Sequence, residues 1–180
     1  MSLEQLIERC KKNDAQAQSQ LYKLYASKLF SICLKYSRNY AEAEDNLQDA
    51  FITIFKKIDQ FKNKGSLEGW MKRITINTAL QRYRSAGVFD IINEDQIEDV
   101  SVEVDDDSIS IDFLLNIIQE LPDRYRLVFN LYALDDYSHK EIASLLAIST
   151  GTSKSNLARA RLILKDKIEQ YKARPNSQSL

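Results

Sequence analysis

The stretch that most constrains this chain is Ser138 to Lys165, SHKEIASLLAISTGTSKSNLARARLILK. Its spacing predicts two helices joined by a short turn. Ser138 is an N-cap residue and Glu141 stands three positions on, the pattern of a capping box. Ile142, Leu145 and Leu146 give the first helix an apolar face. Ala147-Ile148-Ser149 supplies the turn, with Ile148 packing between the helices and Ser149 capping the second. In that second helix Thr152, Ser155, Asn156 and Arg159 recur at i, i+3, i+4 and i+7 and so share one face. Leu157, Ala160, Leu164 and Ile168 occupy another. An apolar back with a front of short hydrogen-bonders and a long cation fits the major groove of DNA. An ordinary helical hairpin in a bundle has the same apolar spacing, and this stretch alone leaves both readings open.

The rest of the chain has the same helical character. Only 4 Gly and 2 Pro interrupt 180 residues, and no run of alternating β-branched residues marks a strand. The 44% hydrophobic content is enough for a real core. No segment resembles an 18-residue apolar span, and the first residues, MSLEQLIERCKKND, carry acids in place of a signal peptide's apolar stretch. The expectation is a soluble, intracellular, all-α protein. Cys10 and Cys33 are isolated within helical patterns and read as reduced packing or surface residues, not a disulfide or a metal pair.

A net charge of −1 conceals a pattern. Residues 1–84 carry a balance of +6, residues 85–108 nine acids and no base, and residues 109–180 a balance of +2. This predicts two small helical domains, 1–84 and 109–174, joined by a flexible acidic linker over 85–108, with a disordered tail over 175–180. An acidic linker repels DNA, so any DNA contact belongs to the flanking lobes.

In the first lobe, residues 2–12 and 15–38 read as helices, and Leu21, Leu24, Tyr25, Leu29, Ile32, Cys33 and Tyr36 form a core-facing stripe. Over 41–59, Leu47, Phe51, Ile54, Phe55 and Ile58 face the core, and Glu44, Asp45, Gln48 and Asp49 stand away from it. Acids near a helix start complement the macrodipole. A compact acidic face also suits a basic protein partner. Then come Phe61 and the basic loop Lys62-Asn63-Lys64-Gly65-Ser66, with Ser66 capping a helix over 67–84 that carries Lys72, Arg73, Ile74 and Asn77. Cations beside aromatics suit phosphates and unpaired bases; Trp70 reads as structural support. In the second lobe a helix over 111–120 ends at Leu121-Pro122. Asp123 is the expected cap of the next helix, whose Tyr125, Val128, Phe129, Tyr132 and Leu134 supply apolar surface.

Two blocks then carry a family resemblance. AEAEDNLQDAFITIFKKIDQF, followed by WMKRITINTALQRYR, resembles region 2 of the sigma-70 family of RNA polymerase sigma factors. LPDRYRLVFNLYALDDYSHKEIASLLAISTGTSKSNLARARLILKD resembles region 4. Their order and the short linker resemble the extracytoplasmic-function (ECF) subfamily. The resemblance implies a protein that binds the clamp helices of core RNA polymerase through Asp45, Gln48 and Asp49, with Glu44 beside them. It implies −10 recognition and melting through Phe61, Lys62, Asn63, Lys64, Lys72, Arg73, Ile74 and Asn77. It implies −35 recognition through Thr152, Lys154, Ser155, Asn156 and Arg159. It further implies promoter DNA and an anti-sigma factor, often membrane-bound, as partners, and a cytoplasmic protein that joins the nucleoid when active. The chain departs from the family pattern at Gln81, Asp136, Ser153 and Asn156, where many relatives have Asp, Gly, Val and Arg. Asn in place of Arg alters the base preference that can be expected at −35. Asp136 falls at a turn where a positive φ is tolerable for Asp.

The alternative is an autonomous helix-turn-helix regulator with an N-terminal helical sensing domain. The acidic face at 44–49 and the absence of an obvious pocket or dimerisation helix in the sequence weigh against it. No Gly-rich phosphate loop, Cys/His metal cluster or nucleophile elbow appears, and the only His, His139, reads as a surface or capping residue. No enzymatic activity, metal or cofactor is therefore expected.

Overall fold

The computed structural model describes residues 1–89, 100–102 and 108–174. Among them the chain forms eight α-helices and no strand. It divides into two compact units, Met1–Ala86 and Gly87–Leu180. The acidic linker expected over 85–108 falls largely on residues 90–99 and 103–107, and the expected tail on 175–180; these lie outside the described residues.

The first unit holds α1 (Leu3–Lys11), α2 (Ala15–Tyr36), α3 (Tyr40–Lys57) and α4 (Leu67–Ser85). Each start is fixed by a side chain that satisfies backbone N–H groups left unpaired by the helix. Ser2 and Gln5 form a capping box on α1. Asp14 accepts from Gln16 and Ala17 at α2. Asn39 accepts from Glu42 at α3, and Ser66 from Gly69 at α4. The Asp14 carboxyl is held below the usual carboxylate range by the Ala17 N–H first and the Arg9 guanidinium next. Helices α2, α3 and α4 pack on one another pairwise, with α1 against α2. Their shared core runs from Leu6, Ile7 and Cys10 through Leu21, Leu29 and Cys33 to Leu47, Phe51, Ile54, Phe61 and Met71. Leu24, expected in the stripe of α2, is instead 56% exposed. Its spacing matches the stripe, but it lies at the edge of the arc that α1, α3 and α4 cover.

The second unit holds α5 (Ile111–Gln119), α6 (Asp123–Phe129), α7 (His139–Leu146) and α8 (Thr150–Ala173). α8 is the spine: α5, α6 and α7 all pack against it. Pro122, not Asp123, is the residue before α6, and no side chain caps that helix. Proline's fixed φ already suits a helix entrance and removes one unpaired donor. Asp123 is the first helical residue, and its carboxylate pairs with the buried Arg126 at 2.9 Å. α6 continues into a π turn at Asn130–Leu134, where Asp135 N donates to Asn130 O. Leu127, Val128 and Leu131 are fully buried in this segment, and Leu134, expected to pack, is 41% exposed. Asp136 does adopt a positive φ, 58°.

Candidate polymerase and nucleic-acid interfaces

Three surfaces carry the residues singled out from the sequence. The first is the outer face of α3. Burial of Ala43, Leu47, Ala50, Phe51 and Ile54 turns Glu44, Asp45, Gln48 and Asp49 outward, and all four are exposed. Asn46 separates the two faces; it is buried and donates to Ser37 Oγ at 2.8 Å. Asp49 meets Arg82 of α4 at 3.3 Å. Beside these acids stands Ile52, 52% exposed, which the sequence reading passed over. Its signal was present: Ile52 lies off the Leu47, Phe51, Ile54 stripe, so an apolar residue there faces outward.

The second surface is the loop before α4 and the exposed side of that helix. Lys62, Asn63, Lys64, Gly65 and Ser66 are exposed. The loop turns through Asn63 at φ 53° and Gly65 at φ 90°. In this left-handed region glycine is free of the Cβ penalty and Asn pays little. Arg73 and Asn77 are exposed on α4, one turn apart, with Asn77 Nδ2 donating to Arg73 O at 3.0 Å. Lys72, Ile74 and Trp70 are half-buried. Lys28 of α2 pairs with Glu68 at 2.7 Å and ties the first turn of α4 to the bundle. Phe61 departs from its expected place among the base-contacting residues. It is 5% exposed, within the core, and its ring centroid lies 5.5 Å from that of Trp70. An aromatic side chain of this size next to a core edge buries itself, so Phe61 props Trp70 from beneath.

The third surface is the helix-turn-helix, α7 and α8. The capping box of Ser138 and Glu141 forms as expected. Ala147 ends α7 in the left-handed conformation, φ 55°, and Ser149 caps α8 by accepting from Thr152 N at 3.0 Å. Gly151 and Lys154 are exposed, and Thr152, Ser155 and Arg159, which share one face, are half-buried. Ser155 Oγ donates back to Gly151 O and Thr152 O. Asn156 does not belong to this face. It is 0% exposed and lies inward with Ser153 and Leu157. At 100° per residue Asn156 is turned about 40° from Thr152 toward the buried Ala160 side, and packing of α7 and α6 on α8 covers that flank. His139 is half-buried and is not a cap, since Ser138 fills that role. Its Nδ1 lies 2.8 Å from Ser153 Oγ, and its ring stacks on Tyr132 with centroids 4.5 Å apart.

Among the described residues no group of three His, Cys, Asp or Glu side chains is arranged to hold a metal ion, and no helix is long and apolar enough to cross a membrane. Cys10 and Cys33 are both free and buried. Burial pushes the Cys33 thiol up to about 12, and raises that of Cys10 as well.

The arrangement of an acidic face, a basic loop and helix, and a separate helix-turn-helix has counterparts. Residues 21–88 match the model of Sigma-70 region 2, and residues 114–164 that of Sigma-70, region 4. The ECF RNA polymerase sigma factor SigW of Bacillus subtilis is 31% identical over 93% of this chain and 97% of its own length. The chain belongs to the ECF sigma factors. The ECF RNA polymerase sigma-E factor of Escherichia coli is 26% identical over 91% of this chain and 93% of its own length. Among solved structures, the sigma factor RpoE from Bartonella quintana, in complex with the anti-sigma factor NepR, superposes with a TM-score of 0.54. It covers 84% of this chain and 96% of that one at 22% identity, a likeness of fold. A sigma factor is a transcription initiation factor.

Proposed function

We propose that this sigma factor divides its work among the three surfaces. Residues 1–84 act as region 2: the exposed face of Glu44, Asp45, Gln48 and Asp49 docks on the clamp helices of core RNA polymerase, with Ile52 as its apolar contact. Lys62, Asn63, Lys64, Lys72, Arg73 and Asn77 face the −10 DNA, while Ile74 and Trp70, supported by Phe61, shape the wall against which an unstacked base rests. Unstacking costs a few kcal/mol per step, and a wall that receives the base offsets part of it. Residues 109–174 act as region 4, with Thr152, Lys154, Ser155 and Arg159 toward −35 DNA. The acidic stretch 85–108 links the two, and 175–180 form a tail. The protein works by binding and performs no chemistry of its own. It resides in the cytoplasm, at the nucleoid when active, and is held by an anti-sigma partner when inactive, as the Bartonella protein is paired with NepR in its solved complex.

The observation that carries this reading is the pairing, on one unit, of an exposed acidic face on α3 with an exposed basic loop leading into α4. An autonomous helix-turn-helix regulator, which reads DNA through α7 and α8, needs neither. Transcription in vitro from a promoter library, with and without core polymerase, tests it. Promoter-specific initiation only when both proteins are present is expected. Tight binding to duplex promoter DNA by the isolated chain, unimproved by core polymerase, would sink it.

A further inference from the structure

The geometry points to His139 as the residue that positions the DNA-reading helix, acting through Ser153. The proposal rests on the assignment of α8 as the −35 reader. α7 and α8 form a V whose point is the turn Ala147–Ser149. His139 begins α7, about 12 Å along that helix from the turn, and Ser153 stands about 6 Å up α8. Their contact at 2.8 Å bridges the two arms of the V. A turn alone leaves the angle between two helices soft; a strut across the arms fixes it. Ser153 is fully buried, so the strut is made on the inward side of α8, next to but not among the outward-facing residues.

A second tie reaches the same helix. The π turn at Asn130–Leu134 carries Tyr132, whose ring stacks on His139 with an interplanar angle of 21°. The Arg161 guanidinium lies over the same ring, 5.8 Å from its centroid. Ser153, His139, Tyr132 and Arg161 thus form a continuous chain of contacts that starts and ends on α8, eight positions apart. The hydrogen bond survives either charge state of His139. A neutral Nδ1 accepts from the Ser153 hydroxyl, and a protonated one donates to it. The strut is accordingly a fixed part of the fold. Its leverage is considerable: Arg159 is six residues beyond Ser153, about 9 Å along the axis, so a tilt of about 10° there displaces it by roughly 1.5 Å. A side-chain hydrogen bond to a base edge does not tolerate that displacement.

The test uses the full chain with core polymerase, transcribing a promoter library randomised at the −35 positions. His139→Phe keeps an aromatic ring against Tyr132 and removes the strut; Ser153→Ala removes it from the other side. Both are expected to relax −35 sequence preference by roughly three- to tenfold, the effect of one net hydrogen bond, with affinity for core polymerase and preference at −10 unchanged. His139→Asn, whose amide reaches the Nδ1 position, is expected to restore the preference. A merely structural role would lower melting temperature and all promoter output together, without relaxing preference. Should His139→Phe fail to fold, Ser153→Ala and His139→Asn decide. Arg159→Ala serves as the reader. If it relaxes −35 preference and the strut variants do not, the role of His139 is overturned. If neither Arg159→Ala nor the strut variants change it, the assignment of α8 falls and the role of His139 falls with it.

Discussion

Asp49 Oδ2 lies 3.3 Å from Arg82 Nη2, so one acid of the outward face of α3 is already paired with a cation of α4. Both side chains are substantially exposed, 55% and 40%, which limits the pair to at most about 1 kcal/mol. Arg82 therefore competes with any basic partner for Asp49. Arg82→Ala is expected to tighten core-polymerase binding by a factor of about 2 to 5, with little change in stability. Asp45→Lys with Asp49→Lys is expected to weaken it by at least about tenfold while DNA binding by α8 persists. Fluorescence anisotropy of the labelled chain titrated with core polymerase measures both. An unchanged affinity for the double variant would return these acids to helix stabilisation.

On α8, burial separates Asn156 from Thr152, Lys154, Ser155 and Arg159. Asn156→Ala is expected to change −35 affinity by less than about twofold, because the side chain does not reach the outward face. Lys154→Ala is expected to weaken binding across sequences and to reduce the salt slope by about one counterion, while Arg159→Ala weakens it and relaxes base preference. Binding isotherms of the holoenzyme at several salt concentrations separate the three. A loss at Asn156 equal to that at Arg159 would place the Asn side chain on the DNA after all.

The helices were legible because their signals are local: caps at Ser66, Ser138 and Ser149, apolar spacing, and few breakers. The acidic face was legible for the same reason, since one well-filled apolar stripe on α3 leaves a single way out for Glu44, Asp45, Gln48 and Asp49. What failed depended on tertiary cover. Asn156 sits on the border between the front and back of α8, and only the neighbours packed there decide its side. Phe61 adjoins a basic loop in sequence but turns inward onto Trp70. The strut from His139 to Ser153 joins residues fourteen apart on two helices, and no periodicity within either helix announces it.

Ala147 is an alanine where the chain needs a left-handed residue, φ 55°. Its Cβ costs energy there that glycine avoids. Ala147→Gly is expected to stabilise the second unit by about 1 kcal/mol, offset in part by the greater freedom glycine gives the unfolded chain. Urea denaturation followed by circular dichroism measures it. A destabilised variant would mean that the exposed methyl of Ala147 contributes packing that outweighs its backbone strain.

Burial of Cys10 and Cys33 sets a pH dependence at the alkaline end. In the folded protein both thiols hold their protons above the ordinary value of 9.0, Cys33 to about 12, chiefly through desolvation. The unfolded chain loses those protons first, so above pH 9 it binds fewer protons than the native state. Stability then falls as pH rises, by up to about 1.4 kcal/mol per pH unit for Cys33 until its folded value is passed, with Cys10 acting in the same direction. Replacement of Cys33 by Ser removes its share of that slope at the cost of burying a hydroxyl; Cys33→Ala removes it with a smaller polar penalty. Below pH 9 both sulfurs remain neutral and shielded, so alkylation by iodoacetamide at pH 8 is expected to follow unfolding, rising through the urea transition and slow before it. Rapid labelling of native protein at pH 8 would show that α1 or α2 opens locally without global unfolding.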